Sequence, residues 1–120
     1  MLFDTTQLAL ERAISGAAQR HQALAANLAN VNTPGYQRVD VDFQSALRGA
    51  LASGQDARAS LEHTSFSAQR DATAVSRADG NSVDADAESA KLAANGLEYQ
   101  ASVQVAGARI DILRTAIGVK

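Results

Sequence analysis

Both terminal parts of the chain carry apolar or small residues at alternating spacings of four and three, and this pattern limits the possible folds most strongly. Such a repeat places a narrow apolar seam along one face of an α-helix, as in coiled coils. It predicts one helix over residues 5–32 and a second that ends near residue 117. The repeating positions are Leu10, Ile14, Ala17, His21, Leu24, Leu28 and Val31, and then Leu92, Gly96, Tyr99, Val103, Ala106, Ile110, Leu113 and Ile117.

The sequence therefore predicts an all-α fold in which long N- and C-terminal helices pair as an antiparallel, coiled-coil-like hairpin. We expect a single elongated domain over residues 1–120. Its parts would be an N-terminal helix over 1–33, an irregular and largely extended or loop segment over 34–82, and a C-terminal helix over 83–120.

The C-terminal helix has a second apolar stripe beside the first. One partner helix can cover only one of the two stripes, so the other needs a further partner. Large apolar residues are few, because Leu, Ile, Val and Phe together number 26 of 120, while Ala alone also numbers 26. We therefore expect the chain to complete its packing with neighbouring subunits. The second stripe consists of Leu97, Ala101, Val105, Ala108 and Ile112.

The first helix is predicted to end within residues 25–36, which read AANLANVNTPGY. Asn is a poor residue for a helix interior because its amide competes for backbone groups. Pro34 and Gly35 suit the two central positions of a type II turn, which need a fixed negative φ and then a positive φ. Two interpretations stay open: a plain helix end followed by a turn, or a docking point for neighbouring chains formed by the amides and Tyr36.

The middle of the chain gives weaker signals. Alternation of Val39, Val41 and Phe43 with charged residues predicts a short extended stretch, which leads into a short helix capped by Asp42. Residues 53–81 are rich in Ser, Ala, Asp and Gly, and this composition predicts a loop. Ser82 or Asp84 is suited to cap the C-terminal helix, and Asp4, Thr5 or Thr6 to cap the first.

Composition and motifs exclude several functions. The net charge is -2 and the isoelectric point is about 5.6, which disfavours a nucleic-acid partner. There is no Cys, no apolar run long enough to span a membrane, and no set of residues typical of a catalytic, cofactor or metal site. His21 lies on the seam, where we expect a packed core histidine. We therefore predict neither an enzyme nor a cofactor.

Two segments carry a family resemblance. LAANLANVNTPGY near the N-terminus resembles the signature of the flagellar axial proteins, which form the rod, the hook and the hook–filament junction. The C-terminal stretch DGNSVDADAESAKLAANGLEYQASVQVAGARIDILRTAI is similar to the C-terminal segment of the same family. The continuation QRVDVDFQSAL and the ending RTAI favour one proximal rod protein over the related FlgC. A soluble helical-hairpin adaptor is the alternative from another class.

The resemblance implies a structural subunit of the proximal rod that polymerises through its terminal helices. It implies as partners copies of the chain itself, the rod proteins FlgC and FlgF, the protein FliE and the flagellar type III export gate. MLFDTTQ at the N-terminus lacks the features of a cleavable signal, so we expect export into the periplasmic rod without one. The implied helix-end junction comprises Asn27, Asn30, Asn32, Thr33, Pro34, Gly35 and Tyr36. The implied helix-packing seam comprises Leu10, Ile14, Leu24, Leu28, Tyr99, Val103, Ile110 and Leu113.

Overall fold

A computed structural model describes residues 4–118, which fold into an elongated body of 62 × 32 × 14 Å. The prediction of a mostly helical fold with long terminal helices is confirmed. The elements are α1 (Thr5–Ala29), β1 (Val39–Asp40), α2 (Phe43–Leu51), a 3-10 turn (Gly54–Asp56), α3 (Ala57–His63), β2 (Gln69–Arg70) and α4 (Ala85–Ala116).

The two long helices run antiparallel, and polar contacts join them at both ends and in the middle. Asn27 Nδ2 donates to Glu88 Oε2 at 2.9 Å, and Asn95 Nδ2 donates to the carbonyl of Ala17 at 2.8 Å. At the far end, Arg109 donates to Asp4 Oδ2 at 2.8 Å. The residue numbers fall along α1 as they rise along α4, as an antiparallel pair requires.

Aspartates cap the three main helices. The carboxylate of Asp4 accepts from Gln7 N at 2.8 Å, that of Asp42 from Ser45 N and that of Asp84 from Ala87 N. Each satisfies one of the amide groups that a helix start leaves without an intrahelical partner. These caps agree with the candidates in the sequence, and they place the start of each helix.

The middle segment folds back onto α1. Phe43 is buried against Gly16, and its ring meets that of Phe66 edge to face, with centroids 6.1 Å apart. Leu61 on α3 is fully buried. Residues 57–63 are therefore helical and packed, whereas the composition of residues 53–81 predicted only a loop. A single large apolar anchor in a polar stretch is too weak a sequence signal to reveal this.

The strands β1 and β2 form a two-stranded antiparallel ladder in which Val39 pairs with Arg70 and Asp40 with Gln69. This ladder agrees with the extended stretch expected near Val39. It carries the chain away from the end of α1 and positions Arg38 and Asp40 beside the hairpin.

The large apolar side chains that stay exposed lie mostly on α4. Leu97 is 69% exposed and Ile112 is 68% exposed, because α4 packs chiefly on α1 and its opposite face has no cover. His21 is exposed as well, so the expectation of a packed core histidine was wrong: its side chain borders an open groove between the two helices. Over residues 4–118, no helix is both long and apolar enough to cross a membrane.

Candidate functional site

The end of the hairpin is organised around Asn27, which is fully buried near the C-terminal end of α1. Its Nδ2 donates to the carbonyl of Val39 at 2.7 Å as well as to Glu88. Its Oδ1 accepts from Val39 N at 2.9 Å and from the Tyr36 hydroxyl at 3.3 Å. One amide thus holds α1, β1 and α4 together, and replacing it would leave several buried polar groups without partners.

Arg38 lies beside this amide and is only 4% exposed. Its guanidinium donates to Glu88 Oε1 at 2.7 Å, to Asp40 Oδ2 at 3.1 Å and to the carboxylate of Asp71. Burial by itself would lower the pKa of Arg38, but the carboxylates of Glu88, Asp40 and Asp71 raise it above its ordinary value. The arginine therefore stays charged and acts as a fixed cross-link between α4 and the β1–β2 ladder.

Hydrogen-bond donors lower the pKa values of two carboxyl groups in this network, those of Asp71 and Asp40. Hydrogen bonds from the hydroxyl and the main-chain amide of Thr73, with a further contribution from Arg38, lower the pKa of Asp71 to about 2. Burial would raise the pKa of Asp40, yet hydrogen bonds from Arg20, Val41 N and Arg38 bring it below the ordinary value. Arg20 reaches Asp40 in a bidentate pair at 2.8 and 3.2 Å, which ties the ladder to α1.

The chain after α1 makes the turn that the sequence predicted. Tyr36 N donates to the carbonyl of Thr33 at 3.2 Å, and Gly35 between them has φ of 74°. Gly35 N in turn donates to the carbonyl of Asp79 at 2.9 Å. Gly80, with φ of 81°, packs against the backbone of Gly35. A Cβ added at Gly80 would lie 3.4 Å from the Cα of Gly35.

Asn81 completes the junction from the other half of the chain. It is fully buried, and its Nδ2 donates to the carbonyls of Asn30 at 2.8 Å, Val31 at 3.2 Å and Thr33 at 2.7 Å. These carbonyls belong to the cap residue of α1 and to the turn that follows it. The amide of Asn81 therefore fixes the chain just after α1 from 48 to 51 residues away in the sequence.

The predicted junction residues divide between a buried base and an exposed tip. Asn27 lies at the base, and Asn30 and Tyr36 are half-buried. The tip of the turn faces solvent and consists of Asn32, Thr33, Pro34 and Gly35. The structure thus brings all seven residues into one feature, whose base is fixed by buried hydrogen bonds and whose tip is exposed.

The predicted seam residues lie along the α1–α4 pair with unequal burial. Leu24 is fully buried, whereas Leu10, Ile14, Leu28 and Leu113 are half-buried. On α4, exposure is 40% for Tyr99 and 43% for each of Val103 and Ile110. The hairpin therefore leaves apolar side chains of the predicted seam partly exposed, in addition to those of the second apolar stripe of α4.

Sequence reasoning missed the polar residues that hold the junction. Arg38, Asn81, Glu88 and Asn95 are all buried, yet a single charged or amide residue in a polar stretch looks like any solvated residue. Only Asn95 gave a signal that could have been used, because it falls between the apolar positions Leu92 and Tyr99 of α4. No group of acidic, histidine or cysteine residues within 4–118 is arranged to hold a metal ion.

The comparisons with known proteins agree with this architecture. The sequence model of the family described as "Flagella basal body rod protein" matches residues 8–37, which contain most of α1 and the turn. The chain is 36% identical to the "Flagellar basal body rod protein FlgB" of Escherichia coli strain K12 over 115 residues, covering 83% of each chain. The protein of that name from Salmonella typhimurium strain LT2 has the same identity and coverage. That from Bacillus subtilis strain 168 is 31% identical over 123 residues, covering 97% of this chain and 95% of the relative.

A paired-helix chain that carries the rod signature at the end of its first helix is a structural protein of the flagellar axis. The chain belongs to the FlgB family of flagellar basal body rod proteins. It is therefore a structural subunit of the basal body rod and not an enzyme, and the adaptor alternative is not favoured.

Proposed function

We propose that the chain is a subunit of the proximal rod and that it polymerises through the uncovered face of α4. The exposed stripe of Leu97, Val105 and Ile112 carries this proposal, since a soluble chain rarely leaves such a row of large apolar side chains in water. Helices from neighbouring copies and from other rod proteins would cover the stripe. The rod proteins FlgC and FlgF, together with FliE and the export gate, are the proposed neighbours.

The junction around the NTPGY turn would act as a rigid contact point in this assembly. Its tip is exposed while its base is fixed by Asn27 and Asn81, so neighbouring subunits would meet a surface of defined shape. A preorganised contact loses less conformational freedom on binding than a flexible loop does. We further propose that the chain reaches the periplasmic rod through the flagellar type III route without a cleaved signal.

The experiment replaces apolar residues of the stripe with lysine in a bacterium that depends on this chain for motility. Ile112→Lys and Leu97→Lys should leave the stability of the isolated chain nearly unchanged, because both side chains already face water. They should abolish swimming and the recovery of the subunit in purified basal bodies. Gln100→Lys is the matched control, since Gln100 is exposed, polar and lines the groove between α1 and α4. This variant should keep both swimming and the recovery of the subunit in basal bodies. Normal incorporation of both stripe variants would refute the proposed interface.

A further inference from the structure

The seam between α1 and α4 does not by itself select one alignment of the two helices. Its apolar and small residues repeat every seven positions on both helices, so a slide by one heptad again sets apolar groups against apolar groups. Such a slide moves one helix by about 10 Å along the other. At the junction end of the hairpin, the bonds of Asn27 and Arg38 to Glu88 and those of Asn81 to the chain after α1 oppose such a slide. In the middle of the hairpin, a further specific contact must favour the observed register.

Among the described residues, Asn95 is the one buried polar side chain in the middle of α4. It is 1% exposed, its Nδ2 donates to the Ala17 carbonyl, and its Oδ1 has no partner within the described residues. That carbonyl is reachable because Ala17 has only a methyl side chain. One heptad earlier or later along α1, Asn95 would instead face Leu10 or Leu24, whose side chains would cover the backbone.

We propose that Asn95, together with the junction, selects the register of α4 on α1, because Ala17 offers a carbonyl to its buried amide where the residues one heptad away on α1 are leucines. A slipped register would leave this amide buried and without any partner, which strongly disfavours it. The register in turn fixes where the exposed stripe of α4 lies relative to the NTPGY turn. The inference concerns the folded chain alone and stands whether or not the proposed interface does.

The absence of cysteine from the chain allows a direct test with introduced pairs. Ala18 and Gly96 line the same groove, and a Cβ added at Gly96 meets no atom within 4 Å. A pair of cysteines at these two positions reports the observed register. Cysteine at Gly96 combined with cysteine at the exposed Glu11 or Ala25, one heptad to either side of Ala18, reports the two slipped registers.

Each pair is treated with a short thiol-to-thiol crosslinker in dilute full-length chain, and the rate of crosslinking within one molecule is measured. In the natural background the Ala18–Gly96 pair should react almost exclusively. With Asn95→Leu, the rate for the slipped pairs relative to the Ala18–Gly96 pair should rise at least about five-fold. Circular dichroism should show unchanged helix content. An unchanged ratio, or a loss of helix content with Asn95→Leu, would overturn the proposal.

A second variant moves the amide by one heptad. In Asn95→Leu combined with Ser102→Asn, the amide meets the Ala17 carbonyl only if α4 slides so that Gly96 comes level with Ala25. The crosslinking rate of the Ala25–Gly96 pair should therefore rise relative to the rates of both the Ala18–Gly96 and the Glu11–Gly96 pairs. If Asn95 merely stabilised the hairpin, moving the amide would not favour one slipped register over the other. An equal rise in the crosslinking rates of both slipped pairs would therefore contradict register selection.

Discussion

The side-chain amide of Asn81 donates to the main-chain carbonyl of Thr33 at 2.7 Å, and so joins the turn after α1 to the segment that precedes α4. The same amide reaches the carbonyls of Asn30 and Val31. The N-terminal motif is therefore not a self-contained helix end. Its conformation depends on residues from the other half of the chain, which makes the two ends of the sequence one folded unit.

Replacing Asn81 should therefore destabilise the chain more than replacing an asparagine of the motif itself. Asn81→Ala removes a buried amide that donates to these carbonyls and accepts from Val83 N, and should lower the free energy of unfolding by about 1–3 kcal/mol. The measurement is urea unfolding followed by circular dichroism. Asn32→Ala is the matched control, since Asn32 is exposed, and it should change the free energy of unfolding by less than about 0.5 kcal/mol. Equal effects of the two variants would contradict the role given to Asn81.

The sequence predicts the helices well because their signals are local. The spacing of Leu10, Ile14 and Leu24 follows directly from the period of a helix, and Asp42 and Asp84 cap helices through atoms three residues away. Pro34 and Gly35 likewise determine a turn through their own backbone preferences. Each of these features depends on a few neighbouring residues, so a single sequence is sufficient to reveal it.

The junction network is not predictable in the same way because it depends on contacts between residues far apart in the sequence, such as the bonds from Arg38 N to Ser82 Oγ, 44 residues apart, and from Asn27 to Glu88, 61 residues apart. Nothing near Glu88 in the sequence distinguishes it from a helix-start carboxylate placed for the dipole. The exposure of His21 has the same origin: its position on the seam is local, whereas the gap beside it depends on how α4 lies against α1.

Gly16 allows close contact between α1 and the ring of Phe43. A Cβ built at Gly16 would lie 2.5 Å from Phe43 Cγ and 2.6 Å from Phe43 Cβ, closer than atoms in contact can lie. Gly16→Ala should therefore lower the free energy of unfolding by about 1–2 kcal/mol, since overpacking outweighs the better helix propensity of Ala. Gly107→Ala on α4 meets open space and should raise the free energy of unfolding by about 0.5–1 kcal/mol. Urea unfolding of both variants tests the contrast, which a stabilising Gly16→Ala would contradict.

Glu88 is the most buried carboxylate of the network and the partner of the buried Arg38. Glu88→Gln keeps the shape of the side chain but removes the charge, so the guanidinium loses its most buried counter-charge. The free energy of unfolding should fall by about 1–3 kcal/mol, because Arg38 loses a charged hydrogen-bond partner in the interior while Asp40 and Asp71 still balance its charge. Glu62→Gln changes an exposed carboxylate that pairs with Arg58 and should alter stability by less than about 0.5 kcal/mol. Chemical denaturation of both variants at neutral pH is the measurement, and comparable small effects would show that the network does not depend on the Glu88 charge.

The depressed pKa of Asp71 predicts acid sensitivity of the fold. A carboxyl whose pKa is lower in the folded than in the unfolded chain stabilises the fold fully above its ordinary pKa, 3.8, and loses this contribution as pH falls through its folded pKa, about 2. The urea midpoint should thus stay level from neutral pH to about 4 and fall between about 4 and 2. Thr73→Ala removes the hydroxyl that contributes most to the shift in the pKa of Asp71, so this fall should become shallower, and Asp71→Asn should flatten it further. A fall of the same size in Asp71→Asn would mean that other carboxyls determine the acid response.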